Sequence, residues 1–511
     1  MILLVHPPVT KPCEPPSGIS QLAGALHAHG IPYRLLDASL EGMLFLLKRP
    51  IVAADTWTGR ASRNIASHLR SFKDIGLYGK LDRYKRAVLE TNRLLTKSTG
   101  RDDIRISLAD YEEGHLSPVK TEDLLYAAEH PEENPFYPYF SERFREIIED
   151  TQPRFIGFSL SYLSQALCTF AMIGFVKRAY PDVEIILGGG LLTSWMKSPF
   201  WKNHFLGIVD HLVCGPGEAP LLAILGKEQP PDVHYRPVFD FEYQSEYFAP
   251  GLIMPYSASS GCYWGKCTFC PERAEGNPYI QRPPHAVALE LRNLAEELNP
   301  ALIHLTDNAI SPTVLKCLIE NPPGVPWYGF VRVTEHLTDP DFCMALKASG
   351  CAMLKLGVES ADQDVLDVMS KGNDVSTTSR ALKTLSNAGI TTYVYLLFGT
   401  PYESEGQARK TLDFVAEHSA CISFLNAAIF NLPLLSPDSQ GLQRADFYEG
   451  DLSLYTDFVH PEGWGRLKVR RFFDNEFKKH PLVRSILQRQ PPLFTSNHAP
   501  FFSKHFAERN P

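Results

Sequence analysis

The rhythm of apolar positions changes several times along the chain. Ile2 to Val5 is a short continuous apolar run, which predicts a buried strand. A rigid loop with Pro7, Pro8, Pro12, Pro15, Pro16 and Gly18 follows. Ile19, Leu22, Ala23 and Leu26 then recur at helical spacing, Gly30 ends that helix, and Tyr33 to Leu36 reads as a second strand closed by Asp37. From about Glu41 to Asp150 the pattern turns polar, charged and aromatic, which predicts a mainly helical insertion. The earlier rhythm resumes with a strand at Phe155 to Leu160, a helix at Ala166 to Ala179, a strand at Val183 to Leu187 ending in Gly188-Gly189-Gly190, and a strand at Ile208 to Val213 leading into Gly215-Pro216-Gly217-Glu218. Strands alternating with helices imply parallel βαβ units with right-handed crossovers. Residues 1–228 are therefore expected to form a doubly wound parallel sheet with a ligand crevice at its carboxyl edge.

Residues 229–250 are rich in proline and aromatics and read as a linker. A second series of units occupies 251–432. Its strands are expected at Ile253 to Ala258, Leu302 to Thr306, Tyr328 to Val333, Met353 to Val358, Thr392 to Phe398 and Ser423 to Ile429, with helices between them. This fits a partial (β/α)6 barrel of the TIM type, and the fold class is α/β throughout. Residues 433–511 lose the rhythm and are dense in aromatics, among them Phe447, Tyr448, Tyr455, Phe458, Trp464, Phe472, Phe473, Phe494, Phe501 and Phe502. They are expected to cover the barrel. His460 and His498, in turn-forming segments there, have no assigned role.

Composition narrows the classes. A chain of 511 residues with 44% hydrophobic and 21% charged residues is of the globular kind and long enough for several cores. Its net charge of −8 argues against a general nucleic-acid binder. No apolar run approaches the ~18 residues of a membrane span, and the N-terminus lacks the features of a signal peptide, so a cytoplasmic location is expected. Of ten cysteines, seven are scattered and three fall in the segment Ser259-Ser260-Gly261-Cys262-Tyr263-Trp264-Gly265-Lys266-Cys267-Thr268-Phe269-Cys270. That segment follows a predicted barrel strand, where barrel active sites lie. Three thiolates suit a 4Fe-4S cubane with one iron left open, whereas structural zinc asks for four ligands, typically as two pairs, and no second Cys-x-x-Cys pair is present. A zinc knuckle is the alternative.

The cysteine segment, the aromatic Phe269 inside its last Cys-x-x-Cys, and the six-unit barrel resemble the radical S-adenosylmethionine (SAM) superfamily. The spacing differs from the usual pattern by one extra residue between Cys262 and Cys267. The resemblance implies a 4Fe-4S cluster on Cys262, Cys267 and Cys270, with SAM chelating the open iron. It places Asp307 and Asn308 near the amino group, Arg332 near the carboxylate, Glu359 and Ser360 near the ribose, and Gly399 within the segment that packs on adenine. Each has an ordinary structural alternative: a helix cap, a surface ion pair, a plain turn.

Residues 1 to about 225 resemble the cobalamin-binding domain of one large class of that superfamily. The matching residues are Val5-His6-Pro7-Pro8, Leu36-Asp37, Ser161-Tyr162-Leu163, Gly188-Gly189-Gly190 and Gly215-Pro216-Gly217-Glu218. Ser161, Leu163, Gly188, Gly189 and Gly190 are the candidate cobalamin contacts. The Asp-x-His-x-x-Gly element that supplies an axial histidine in other cobalamin domains is absent, and His6 is the nearest candidate by position. The implied activity is a cobalamin-dependent methylase of an unactivated carbon. Alternatives are radical SAM chemistry without corrin, such as rearrangement, cyclisation or thioether formation, and a non-catalytic metal-binding partner protein. The implied partners are a small-molecule or peptide substrate and a reductant such as flavodoxin or ferredoxin, with no membrane and no nucleic acid. No catalytic side chain is assigned.

Overall fold

A computed structural model describes residues 1–51, 55–228, 233–445, 450–503 and 506. The chain divides into two compact units, the first made by residues up to Leu252 together with 450–454, the second by Ile253 onward and the rest of the C-terminal region.

In the first unit the apolar run near the N-terminus is a central strand. Strands β1 (Ile2–His6), β2 (Tyr33–Asp37), β3 (Phe155–Ser159), β4 (Glu184–Gly188) and β5 (His211–Leu212) form one parallel sheet in the order β2-β1-β3-β4-β5. Every residue of β1 is buried, as a strand covered on both faces requires. The chain leaves β1 toward one side for β2 and returns on the other for β3. The switch point, where such sheets bind ligands, therefore lies between β1 and β3. β5 is shorter than the run Ile208 to Val213 suggested, because a turn at 206–208, with Gly207 at φ 94°, uses the beginning of that run.

The stretch expected as an insertion is helical, with helices at Thr56–Phe72, Leu81–Ser98, Thr121–Glu129 and Tyr137–Thr151 and a small hairpin of Ile104–Ile106 with Tyr111–Glu113. It begins later than Glu41. Ala38–Lys48 is a single buried helix capped by Asp37, whose carboxylate accepts from the Ser39 and Leu40 amides. Two stretches differ from expectation. The described part of the supposed linker, 233–250, is a packed strap; residues 229–232 lie outside the described residues. Tyr235 joins Ala25 and Leu222 in a buried cluster, the Val238 amide donates to Ser20 O (2.9 Å), Tyr247 donates to Asp37 (2.7 Å), and Phe248 stacks on Phe72. Its aromatics bury too much apolar surface to stay in water. Residues 450–454, expected over the barrel, belong to this first unit, where Asp451 accepts from both the Thr121 amide and its hydroxyl.

The second unit holds β6 (Ile253–Tyr256), β7 (Leu302–Leu305), β8 (Trp327–Val331), β9 (Cys351–Glu359), β10 (Thr391–Phe398) and β11 (Phe424–Ile429), all parallel and adjacent in chain order. This is the expected partial barrel. Its crossover helices start at defined side-chain caps: Ser311, Asp339, Asp374 and Ser404 each accept a first-turn amide, and proline follows the first two directly. Past β11, Phe472, Phe473 and Phe477 gather around Phe398 at the end of β10. Phe447 and Tyr448 lie outside the described residues, as does the side chain of Phe494. Among the described residues no helix is long and apolar enough to cross a membrane.

Helices Thr121–Glu129 and Leu163–Ala179 touch backbone to backbone at Gly174, where an added Cβ would lie 1.8 Å from Ala128 O. Gly174→Ala must push the two helices apart, at a cost of about 1–3 kcal/mol or more. The expected outcome is a melting temperature of the first unit several degrees lower by circular dichroism, while Gly226→Ala, with open space around its Cβ but a left-handed φ of 72°, shows only a strain-sized loss.

Candidate functional site

The cysteine segment emerges from the carboxyl end of β6 and has little regular structure of its own. Ser259–Ser260 pairs briefly with Ile280–Gln281, and the rest is turns. Neighbouring strand ends therefore hold it. Asp307, just beyond β7, is 2% exposed; its carboxylate accepts from the Ala258 amide (3.0 Å) and the Ser259 hydroxyl. Asn308 donates to Gly261 O (3.4 Å). Gly261 has φ 69° and an added Cβ there would lie 2.4 Å from Pro278 O, so the turn before Cys262 admits only glycine. Asp307 and Asn308 thus orient the loop in this structure, beside any contact to a ligand.

Further along, the loop sits on segment 369–372 after β9. The Thr268 amide donates to Met369 O (3.0 Å), the Trp264 indole N–H donates to Ser370 O (2.9 Å), and Phe269 packs on Val365, Leu366 and Met369. The Trp264 ring lies so close to Gly372 that a Cβ there would fall 2.2 Å from its Cζ2. Arg332, buried beyond the end of β8, ties these parts together. Its guanidinium stacks 4.1 Å from the Trp264 ring centroid, donates to Lys371 O (2.6 Å), and points an N–H at Cys267 Sγ (3.9 Å). Arg332 thus meets the loop itself.

Glu359, the last residue of β9, takes φ 65° at an irregularity in the strand and pairs with Lys371 (2.9 Å). A non-glycine side chain held in the left-handed region is a strained position of the kind found at functional sites. Burial raises the Cys267 thiol, while the Lys371 and Arg332 cations pull it back. Burial pushes Cys270 up to about 11. Thiols of this kind become thiolates when a metal supplies the charge. Among the described residues the three thiols do not belong to a set whose ligand atoms all lie within 4.8 Å of one another. Sequence reasoning gave Trp264 and Lys371 no role of their own; the signal for them was their place inside or just after a motif.

The remaining positions divide. Ser360 is 1% exposed and its hydroxyl is engaged with Thr411 and the Asp362 amide. Gly399, at φ 77°, donates its N–H to Glu403 (2.6 Å). Below the rim, the strand face that carries Glu359 also carries Lys355. The Lys355 ammonium lies 3.4 Å from His304 Nε2 and about equally far from the Tyr328 and Phe330 rings, at 4.8 and 4.9 Å. Tyr395 on β10 packs 4.9 Å from Phe330. The partial barrel thus has a cationic, aromatic-lined interior.

In the first unit, Gly188 ends β4 and Gly189 has φ 110°; an added Cβ on Gly189 would lie 2.4 Å from Leu160 O. Gly190 opens helix Gly190–Met196 and is exposed. Ser161 donates its amide to Gln165 Oε1, and Leu163 starts the helix after β3. Ser161, Leu163, Gly188, Gly189 and Gly190 therefore meet at one edge, beside exposed Tyr162 and Cys214. His6 is buried, its pKa lowered by burial, and its Nε2 is engaged with Thr10 Oγ1 (2.9 Å).

Glu403 carries a pH signature. It is fully buried, accepts from Gly399 and from the Trp464 indole (3.0 Å), and its Oε1 has no partner among the described residues. Burial raises its pKa from 4.5 to about 7. Since the folded value lies above the unfolded one, this group's contribution to stability is complete below about pH 4.5 and is lost as pH rises through about 7. A shift of that size corresponds to on the order of 3 kcal/mol. Glu403→Gln is expected to flatten the decline in stability of the second unit between pH 5 and 8, measured by denaturant unfolding at each pH.

Comparison with known proteins agrees with this geometry. Residues 256–415 match the model of the Radical SAM superfamily. A bacteriochlorophyllide d C-12(1)-methyltransferase of Chlorobaculum tepidum is 28% identical over 174 residues, 32% of this chain and 38% of that protein. A tryptophan 2-C-methyltransferase of Streptomyces laurentii is 26% identical over 37% of this chain and 34% of its own length. The matched stretches thus span little more than a third of these relatives. Among solved structures, the radical SAM methyltransferase TsrM of Kitasatospora setae, with cobalamin and a [4Fe-4S] cluster bound, superposes with TM-score 0.56 at 16% identity, covering 99% of this chain and 98% of that one. That likeness extends the shared fold over both units. Residues 256–415 are a radical SAM domain.

Proposed function

We propose that the protein is a cobalamin-dependent radical SAM enzyme that methylates an unactivated carbon of a small molecule or peptide. The observation that carries this reading is the seating of the cysteine loop at the carboxyl end of the barrel by Asp307, Trp264 and Arg332. Cys262, Cys267 and Cys270 would hold a 4Fe-4S cluster, and SAM would complete its fourth corner. When bound, that pair supplies a 5′-deoxyadenosyl radical for hydrogen abstraction; cobalamin supplies a methyl group.

The chain's own residues have separate tasks. Arg332 and Lys371 place positive charge beside Cys267, offsetting the negative charge that three thiolates bring to a buried site. The strained end of β9 holds the Glu359 carboxylate at the barrel rim, where Lys371 fixes its direction. Asn308, Ser360 and Gly399, at the strand ends, would border SAM; of these, only Asn308 is exposed, and Ser360 would contribute through its backbone, its hydroxyl being engaged with Thr411. Lys355 and His304, with Phe330 and Tyr395, are the side chains that would meet a substrate below. The aromatic C-terminal residues around Phe398 shield this end of β10 from water.

The first unit fits a corrin in two respects. Its carboxyl edge is bare, with Gly190, Tyr162 and Cys214 exposed, and Gly189 lets two loops close behind it. His6, at the carboxyl end of β1, is buried with its Nε2 engaged by Thr10 Oγ1 (2.9 Å), so Thr10 already holds one of its two ring nitrogens. A one-electron reductant of the flavodoxin or ferredoxin type completes the system, and a cytoplasmic location suits an oxygen-sensitive cluster.

Anaerobic reconstitution with iron, sulfide and hydroxocobalamin tests the proposal. The expected results are close to four irons per chain by elemental analysis, a corrin absorbance that co-elutes with the protein, and 5′-deoxyadenosine on addition of SAM and reductant. Cys267→Ala is expected to reduce that product to background while corrin uptake persists. Cleavage without corrin uptake would favour rearrangement, cyclisation or thioether chemistry instead. Full cleavage by Cys267→Ala would refute the ligand assignment.

A further inference from the structure

Outside the cysteine loop, three ligand-type side chains converge on the first two crossover helices of the barrel. His285 lies in the first turn of helix Pro284–Leu298; Cys317 and Glu320 lie on helix Pro312–Glu320, three residues apart and so on one face. One donor atom from each falls within 4.8 Å of the others. Cys317 Sγ and His285 Nδ1 are 3.8 Å apart. Tetrahedral zinc with Zn–S near 2.3 Å and Zn–N near 2.0–2.1 Å sets its sulfur and nitrogen ligands about 3.6 Å apart, so the thiol and the imidazole already stand at almost that separation. The two helices are also tied by Arg292, which reaches Pro322 O just beyond the second helix (3.4 Å).

We propose that His285, Cys317 and Glu320 form a second metal site, specific for a divalent cation of borderline softness such as Zn2+, with water as fourth ligand. The donor set is what that cation selects. A thiolate and an imidazole favour zinc over magnesium or calcium, and the carboxylate completes a three-ligand site with one open position. Cys317 is fixed by burial, 7% exposed, while His285 and Glu320 are exposed and free to turn onto the metal. Binding releases the thiol proton and leaves the imidazole neutral, so affinity rises with pH. The ion clips one crossover helix to the next, and its ligands share no element with the cluster loop. The ordinary alternative is a surface Cys–His hydrogen bond with an acidic neighbour.

Cobalt(II) is a suitable probe, because a tetrahedral cobalt–thiolate site shows both a near-ultraviolet charge-transfer band and intense visible bands. The test uses the full chain with Cys262, Cys267 and Cys270 changed to Ala, which removes the cluster thiolates from the titration. One equivalent of Co2+ is expected to give both bands, and Zn2+ to displace it. Cys317→Ser in that background is expected to lose the charge-transfer band. His285→Ala and Glu320→Gln, at exposed positions, are expected to weaken binding at least tenfold with the circular dichroism unchanged. Zinc should also raise the melting temperature of the parent and not of His285→Ala. Absence of the bands in a folded parent, or bands that persist in both Cys317→Ser and His285→Ala, would overturn the site. Neither result bears on SAM cleavage by the reconstituted wild-type protein, so the two proposals stand or fall separately.

Discussion

Three cysteines at the end of a barrel would, as thiolates on a cluster, gather negative charge in one place, and the loop that carries them has almost no secondary structure to hold it. The buried guanidinium of Arg332 meets both difficulties. One N–H points at Cys267 Sγ, another is satisfied by Lys371 O, and the face rests on Trp264. A planar, permanently charged group can stack and donate at once, which a lysine in its place cannot do. Trp264 in turn needs Gly372 beneath it, and Asp307 closes the other end of the loop through Ala258 and Ser259. The loop's shape therefore belongs to β7, β8 and β9 as much as to its own sequence.

Charge around the rim is graded by what accompanies each group. Glu359 and Lys371 form a largely buried ion pair beside the thiols. Glu403, equally close to a strand end, is buried and accepts from the Gly399 and Trp464 N–H groups, and burial, with the nearby Asp362 charge, raises its pKa toward neutrality. Lys355, deeper in the barrel, rests on aromatic faces beside His304. The end and interior of the barrel thus hold their ionisable groups in three different surroundings: an ion pair, a buried carboxyl and an ammonium on aromatic faces.

The first unit shows how an insertion can enlarge a fold without obstructing it. Helix Thr121–Glu129 is seated on helix Leu163–Ala179 through Gly174, away from the strands' carboxyl ends. The strap at 233–250 crosses the other elements, bonding to Ser20 and Asp37. The edge formed by Ser161, Gly189 and Gly190 stays uncovered within the unit, as a ligand-binding switch point requires.

Sequence alone determined the strand–helix rhythm, both parallel sheets and the place of the cysteine segment directly after the first barrel strand. Each of these is written locally: a run of apolar residues, a cap, three sulfurs within nine positions. Strand ends shifted by one to three residues, because pairing with neighbours sets where a strand stops. Tertiary structure alone decided that Tyr235, Tyr247 and Phe248 form a strap and not a free linker, and that 450–454 returns to the first unit. It also decided that Arg332 meets Trp264 and Cys267, and that His285 faces Cys317 across two helices. Those contacts join residues far apart in the chain. Side-chain pairing at that range depends on packing between elements, which no local spacing encodes.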